Sequence, residues 1–209
     1  MDPALVRRRR AARAARPLKI VVTGPFAAGK TSLIQAISEV TVLGTERAIS
    51  DDTDARKDTT TVAMDFGRVS LSNGLALFLF GTPGQRRFEV MWEVLSEGMI
   101  GFVLLVNGSD ERSAADAARQ LETFQAYADV PFVVGVTHLD AADGDEAAAL
   151  ERIRARLGLD EEADVVACDP RAREDVKAMM LRILFGVLRR LETTDRLDDP
   201  PAERVAAAP

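Results

Sequence analysis

The chain predicts an α/β fold in three layers: a mainly parallel six-stranded sheet with one antiparallel edge hairpin, and helices on both faces. Three observations predict it. Compact apolar runs alternate with helix-like segments through the middle of the chain, the pattern of parallel strands joined by crossovers. Asn73-Gly74, a two-residue hairpin signal, stands between two of the early runs. The first apolar run leads straight into a glycine-bounded loop and then a helix.

Each element follows from its residues. A strand over 18–23 is apolar enough for a central position, and a helix over 31–39 comes after the loop. Strands over 62–72 and 75–80 flank Asn73-Gly74, so they pair antiparallel. A helix over 88–97 precedes a strand over 100–106, and a helix over 113–127 precedes a strand over 131–137. Both strands read as near-continuous apolar runs suited to burial on two faces. A helix over 145–157, a short strand over 163–167 and a helix over 171–192 complete the set. The last helix carries Val176, Met180, Ile183, Leu184, Val187 and Leu191 at helical spacing, a stripe for core packing rather than a partner groove.

Composition bounds the rest. With 209 residues and 47% hydrophobic content, the chain can bury one full core but is short for two domains. It divides into an Arg-rich disordered arm (1–17), a single domain (18–192) and a disordered tail (193–209) around Asp198-Asp199-Pro200-Pro201. No apolar stretch approaches the roughly 18–20 residues of a membrane span. Cys168, the only cysteine, cannot form an internal disulfide, which points to a reducing cytoplasm. The net charge of −6 hides an asymmetry: residues 1–16 hold six arginines against one aspartate, a local +5 that leaves −11 elsewhere. An acidic body argues against nucleic-acid binding. The arm reads as a solvated segment, with docking to the anionic inner face of the cell membrane or to an acidic partner as the alternative.

The chemistry begins at Gly24-Pro25-Phe26-Ala27-Ala28-Gly29-Lys30-Thr31, a complete G-x-x-x-x-G-K-[ST] phosphate loop between a strand and a helix. Gly24 and Gly29 let successive N–H groups point inward at phosphate oxygens, and the helix, with Ser32 in its first turn, adds its positive end. Lys30 suits the β- and γ-phosphates, and the Thr31 hydroxyl suits Mg²⁺. The only histidine, His138, and the only cysteine follow different strands, so no Ser-His-Asp or Cys-His constellation competes, and zinc-type ligand spacing is absent.

Four further loops fall at the carboxyl ends of predicted strands, where ligands bind in open α/β sheets, or lead into one. They carry Thr59-Thr60-Thr61, Gly81-Thr82-Pro83-Gly84-Gln85, Thr137-His138-Leu139-Asp140 and Ala167-Cys168-Asp169. On these residues the chain, over about 18–190, resembles the Ras-like small GTPases of the P-loop NTPase fold. Within them it is most similar to actinobacterial members encoded beside sensor kinases and roadblock-type proteins, and more distantly to the gliding-motility polarity GTPases.

The resemblance implies a set of roles. Thr61 would ligate Mg²⁺ and sense the γ-phosphate, with Thr59 and Thr60 as neighbours one register step away; all three also suit a strand start as β-branched residues. Gly84 would offer its N–H to the γ-phosphate and Gln85 would orient the attacking water. Gly81 stands where an aspartate is usual, which implies weaker Mg²⁺ coordination but need not abolish hydrolysis. Thr137, His138 and Asp140 would read guanine, with His138 in a lysine's place and Asp140 accepting from N1–H and the exocyclic amine, a donor pair adenine lacks. Cys168, through its backbone N–H, and Asp169 would complete the base site; Asp169-Pro170 also reads plainly as a helix N-cap and first-turn proline. The implied ligands are GTP or GDP with Mg²⁺, and the implied activity is hydrolysis of GTP to GDP and phosphate, slow without an activating partner. Arg56, Arg86 and Arg87 are all candidates for an arginine finger. The implied partners are a roadblock-type or other activating or effector protein and a sensor-kinase system, meeting a mobile segment over 43–61 and an apolar edge of Phe88, Met91 and Trp92 that otherwise serves the core. The alternatives are a nucleotide-dependent scaffold with little hydrolysis, suggested by Gly81, and a P-loop ATPase or small-molecule kinase sharing the phosphate loop alone.

Overall fold

The computed structural model describes residues 18–41, 64–84, 88–139 and 145–198. Six strands form one sheet: β1 (Leu18–Thr23), β2 (Asp65–Ser70), β3 (Ala76–Gly81), β4 (Gly101–Asn107), β5 (Phe132–Thr137) and β6 (Val165–Ala167), in the order β2-β3-β1-β4-β5-β6. Every pairing is parallel except β2 with β3. Five helices connect them: α1 (Lys30–Ile37), α2 (Glu89–Ser96), α3 (Glu111–Tyr127), α4 (Glu146–Arg156) and α5 (Arg173–Asp198). This is the expected three-layer architecture of the P-loop NTPase fold.

The two faces bury separate cores because the strands alternate side chains between them. Ile20, Val22, Leu79, Val103 and Leu105 face α1 and α5, meeting Leu33, Ile34, Met179 and Ile183. Val21, Phe102, Leu104, Val134 and Val136 face α2, α3 and α4, meeting Trp92, Leu121, Phe124 and Ile153. Three aromatic rings continue this second core: Phe102 stacks on Phe132 at 5.2 Å and packs on Phe124 at 5.5 Å between centroids. With both faces covered, the middle strands are largely buried, and β4 is buried from Gly101 to Val106.

Two expectations need correction. The β2–β3 connection is a three-residue 3-10 turn, Ser72–Gly74, closed by Leu71 N–H donating to Leu75 O at 2.8 Å, not a two-residue turn. A two-residue turn at Asn73-Gly74 would set Phe66 opposite Gly81; the longer turn slips the register by one and sets Asp65 there. The last helix begins at Arg173 rather than 171 and runs to Asp198, past the expected boundary at 192. Residues 193–198 contain neither glycine nor proline, so adding turns costs little until the constraint imposed by Pro200. The core reading of Phe88, Met91 and Trp92 holds: Trp92 is buried and the other two are partly buried, while the strongly exposed apolar residues around α2 are Val90 and Val94. Among the described residues no helix is long and apolar enough to cross a membrane.

Candidate functional site

Residues 24–31 turn from the carboxyl end of β1 into α1. Gly24 (φ 145°), Ala27 (φ 59°) and Gly29 (φ 98°) take positive φ, which curls the loop around its own N–H groups. The two glycines are also demanded by neighbours. A Cβ at Gly24 would lie 2.4 Å from Leu105 O on β4, and one at Gly29 would lie 2.8 Å from Pro170 Cγ. Unlike its counterparts, α1 has no acidic residue in its first turn; the other four helices each have one or more. Asp110 and Asp145 cap α3 and α4 by accepting from backbone N–H, but α1 has Gly29 at that position and no side-chain cap. Its first N–H groups and dipole are therefore offered to an external anion.

Lys30 is buried, and its Nζ donates to Gly24 O (2.7 Å) and Pro25 O (2.6 Å), which fixes the ammonium over the loop. Thr31 donates its hydroxyl proton to Asp65 Oδ2 at 2.6 Å. The segment after β3 arches across the top: a Cβ at Gly84 would lie 2.9 Å from both Lys30 Nζ and Phe26 N, so only a glycine brings this backbone so close. Beneath it, Thr82 N–H donates to Val22 O (2.9 Å), Thr82 Oγ1 to Thr23 Oγ1 (3.0 Å) and Thr23 Oγ1 to Gln120 Oε1 (3.2 Å). That buried row ties the start of the segment to β1 and α3.

A cleft of about 590 Å³ runs from this loop to the ends of β5 and β6, lined at the far end by His138, Leu139, Glu146, Cys168, Asp169 and Arg171. Thr137 is fully buried, its Oγ1 within 3.1 Å of Ala28 O, 3.2 Å of Val106 O and 2.9 Å of His138 Nδ1. It acts from below, bracing the phosphate loop rather than touching a base. His138 leaves the strand with φ 57°, which turns the chain sharply outward. Cys168 N–H, the backbone donor expected at the base, donates to Val136 O (2.9 Å), and Asp169 N–H donates to Asp175 Oδ2 (3.0 Å). Nor does Asp169 cap α5: its Oδ1 accepts from Arg171 N–H (2.9 Å), a local turn ahead of the helix. The Arg171 guanidinium, with that N–H, holds the Asp169 carboxyl below the usual carboxylate range, and His138 adds to it. Burial pushes the Cys168 thiol up to about 12, helped by Asp175 and Asp169, so this thiol is no nucleophile.

Phe26, Ala27, Gly29, Lys30, Thr31, Ser32 and Gly84 line the near end of the cleft, with Pro25 and Ala28 buried behind them, and 22–184 of the sequence matches the profile of a protein family described as conserved hypothetical ATP binding protein. The chain belongs to that family. Membership and loop geometry agree on a nucleotide-binding protein of the P-loop type. No curated protein matches the sequence. Of the other predicted residues of this family member, Thr61, Gln85 and Asp140 lie outside the described residues, as do Arg56, Arg86 and Arg87. Sequence reasoning missed Asp65 as a partner of Thr31, because the signal for it is the hairpin register and not a motif. It also missed Pro170, whose ring packs where a side chain at Gly29 would stand.

Proposed function

We propose that this chain is a GTP-binding molecular switch that hydrolyses GTP to GDP and phosphate. The observation that supports it most is the composition of the cleft. A complete phosphate loop lies at one end, and His138 and Leu139, followed in sequence by Asp140, lie at the other. Asp140 would accept from both guanine donors, and His138 would lie against the base plane. At the phosphate end, water attacks the γ-phosphorus and the bond to the bridging β,γ-oxygen breaks, with charge spreading onto phosphate oxygens. Lys30 and the N–H groups of residues 26–31 oppose that charge, Gly84 N–H faces the γ-phosphate, and Gln85 orients the water. Mg²⁺, when bound with the nucleotide, neutralises phosphate charge; Thr31 and Thr61 are its protein ligands in this reading.

A second reading, a P-loop ATPase, is favoured by the description of the family. The two separate at the base. Nucleotide released by denaturing purified protein, identified by chromatography, is expected to be GDP or GTP; adenine nucleotide would favour the ATPase. Gln85→Leu should keep binding and lose phosphate release, whereas a wild-type rate in that variant would remove Gln85 from the water's position.

The cycle in this proposal is read by partners. Residues 43–61 and the segment after Gly84 would close on a triphosphate and present a surface to a roadblock-type or other activating or effector protein of a sensor-kinase system, while the Arg-rich arm contacts an anionic membrane. Trp92 is a built-in reporter, since its Nε1 donates to Pro83 O at 3.3 Å, next to Gly84. Its emission should differ between GTP-analogue and GDP forms.

A further inference from the structure

Gly81 ends β3 at the rim of the phosphate site, and no carboxylate is carried there. Its cross-strand partner is Asp65, the first residue of β2. A Cβ at Gly81 would lie 2.9 Å from Asp65 Cβ and 3.2 Å from Asp65 Oδ2, so the Asp65 side chain occupies the room that a side chain at 81 would need. The carboxylate then reaches the first turn of α1, where it accepts the Thr31 hydroxyl proton at 2.6 Å. A hydroxyl that gives its proton to a carboxylate turns its lone pairs the other way, toward the phosphate loop.

We propose that Asp65 is the positioning carboxylate of the nucleotide's Mg²⁺ site, supplied by the edge strand β2 in place of a side chain at Gly81. The proposal rests on nucleotide binding by the phosphate loop. Its chemistry suits the ion: Mg²⁺ keeps several waters and takes one or two carboxylates besides phosphate oxygens, and a carboxylate one shell out accepts from those waters while orienting a hydroxyl ligand. The other acidic residues lining the described part of the cleft, Glu146, Asp169 and Asp175, stand with the β5–β6 end, and Asp169 and Asp175 are already tied to Arg171 and to Asp169 N–H. Gly81 is accordingly a complement to Asp65 and not a lost ligand.

The test is triphosphate affinity of the full chain in excess Mg²⁺ and in EDTA, measured for wild type, Asp65→Asn and Lys30→Ala. Asp65→Asn keeps the size and the acceptor for Thr31 but loses the charge. It should lose about tenfold or more of the Mg²⁺-dependent gain, the usual scale for an outer-shell partner, with affinity in EDTA unchanged. Lys30→Ala should lose affinity in both conditions. Paramagnetic resonance of Mn²⁺ in the ternary complex should change in Asp65→Asn and return toward wild type in Asp65→Gly/Gly81→Asp, which restores a carboxylate from β3 and removes the Asp65 side chain from its path, leaving only the flexible end of Ile34, 3.0 Å from that Cβ, to shift. An undiminished Mg²⁺ gain in Asp65→Asn, or no recovery in the double variant, would overturn the proposal while leaving nucleotide binding intact. A wild type with no affinity in either condition would overturn the reading beneath it, and this proposal with it.

Discussion

The two ends of the cleft are built in opposite ways. The phosphate end is made of backbone: a contiguous loop with three positive-φ residues, an uncapped helix start and one buried ammonium, all within residues 24–31. The base end is made of single side chains at the ends of β5 and β6, and its backbone donors at Cys168 and Asp169 are already engaged. What this teaches is a division of labour. In the proposed function the first end supplies affinity for any nucleoside triphosphate, and the second supplies choice among bases.

The strongest challenge to that division is Lys30→Ala. Removing a buried cation that faces phosphate should cost about 3 kcal/mol, roughly a hundredfold in affinity, for GTP and ATP equally, with little change in melting temperature. A base-dependent loss in calorimetry would mean that the two ends are not separable. Asp140→Asn comes next. Exchanging an acceptor-only group for an amide in a paired site costs on the order of 1–3 kcal/mol, so GTP should weaken and xanthosine triphosphate, whose C2 oxygen accepts, should gain relative to it. ATP affinity should barely move.

Thr137→Val sharpens the comparison, because Thr137 stands in the base-reading segment yet braces Ala28 of the phosphate loop. The loss of one buried hydroxyl contact, about 1 kcal/mol, should lower GTP and ATP affinity alike, and a selective loss of GTP would return Thr137 to the base. The smallest effect is expected at Cys168. Since its thiol pKa rises from 9.0 to about 12, the folded state retains the proton. The thiol's contribution to stability is therefore complete below pH 9 and is lost as pH rises from 9 toward 12. Alkylation at pH 8.5 should be slow in the native protein and fast in denaturant, and prompt native labelling would contradict the burial of this residue.

The same division explains what the amino-acid sequence reveals. The phosphate loop is legible because its parts are adjacent: Gly24, Gly29, Lys30 and Thr31 specify curl, cation and ligand without reference to distant chain. β1, β4 and β5 are legible because burial on both faces leaves uninterrupted apolar runs. Asp65 is not, since its role depends on whether the hairpin turn holds two residues or three, and Asn73-Gly74 suits either until Leu71 and Leu75 close the longer one. The partner of the Cys168 N–H is hidden for a related reason: Val136 O, which accepts it, is brought beside it only by the pairing of β5 with β6. The end of α5 turned on weak local preference at Thr193 and Thr194, which a continuing helix overrides.

The central claim is that phosphate binding comes from the loop and guanine choice from the β5 corner, and paired calorimetric titrations of the wild-type protein with GTP and ATP in Mg²⁺ test it most directly. The account predicts measurable binding of both, with GTP tighter by at least about tenfold, a difference of about 1.4 kcal/mol. Equal affinities, or tighter ATP, would contradict it.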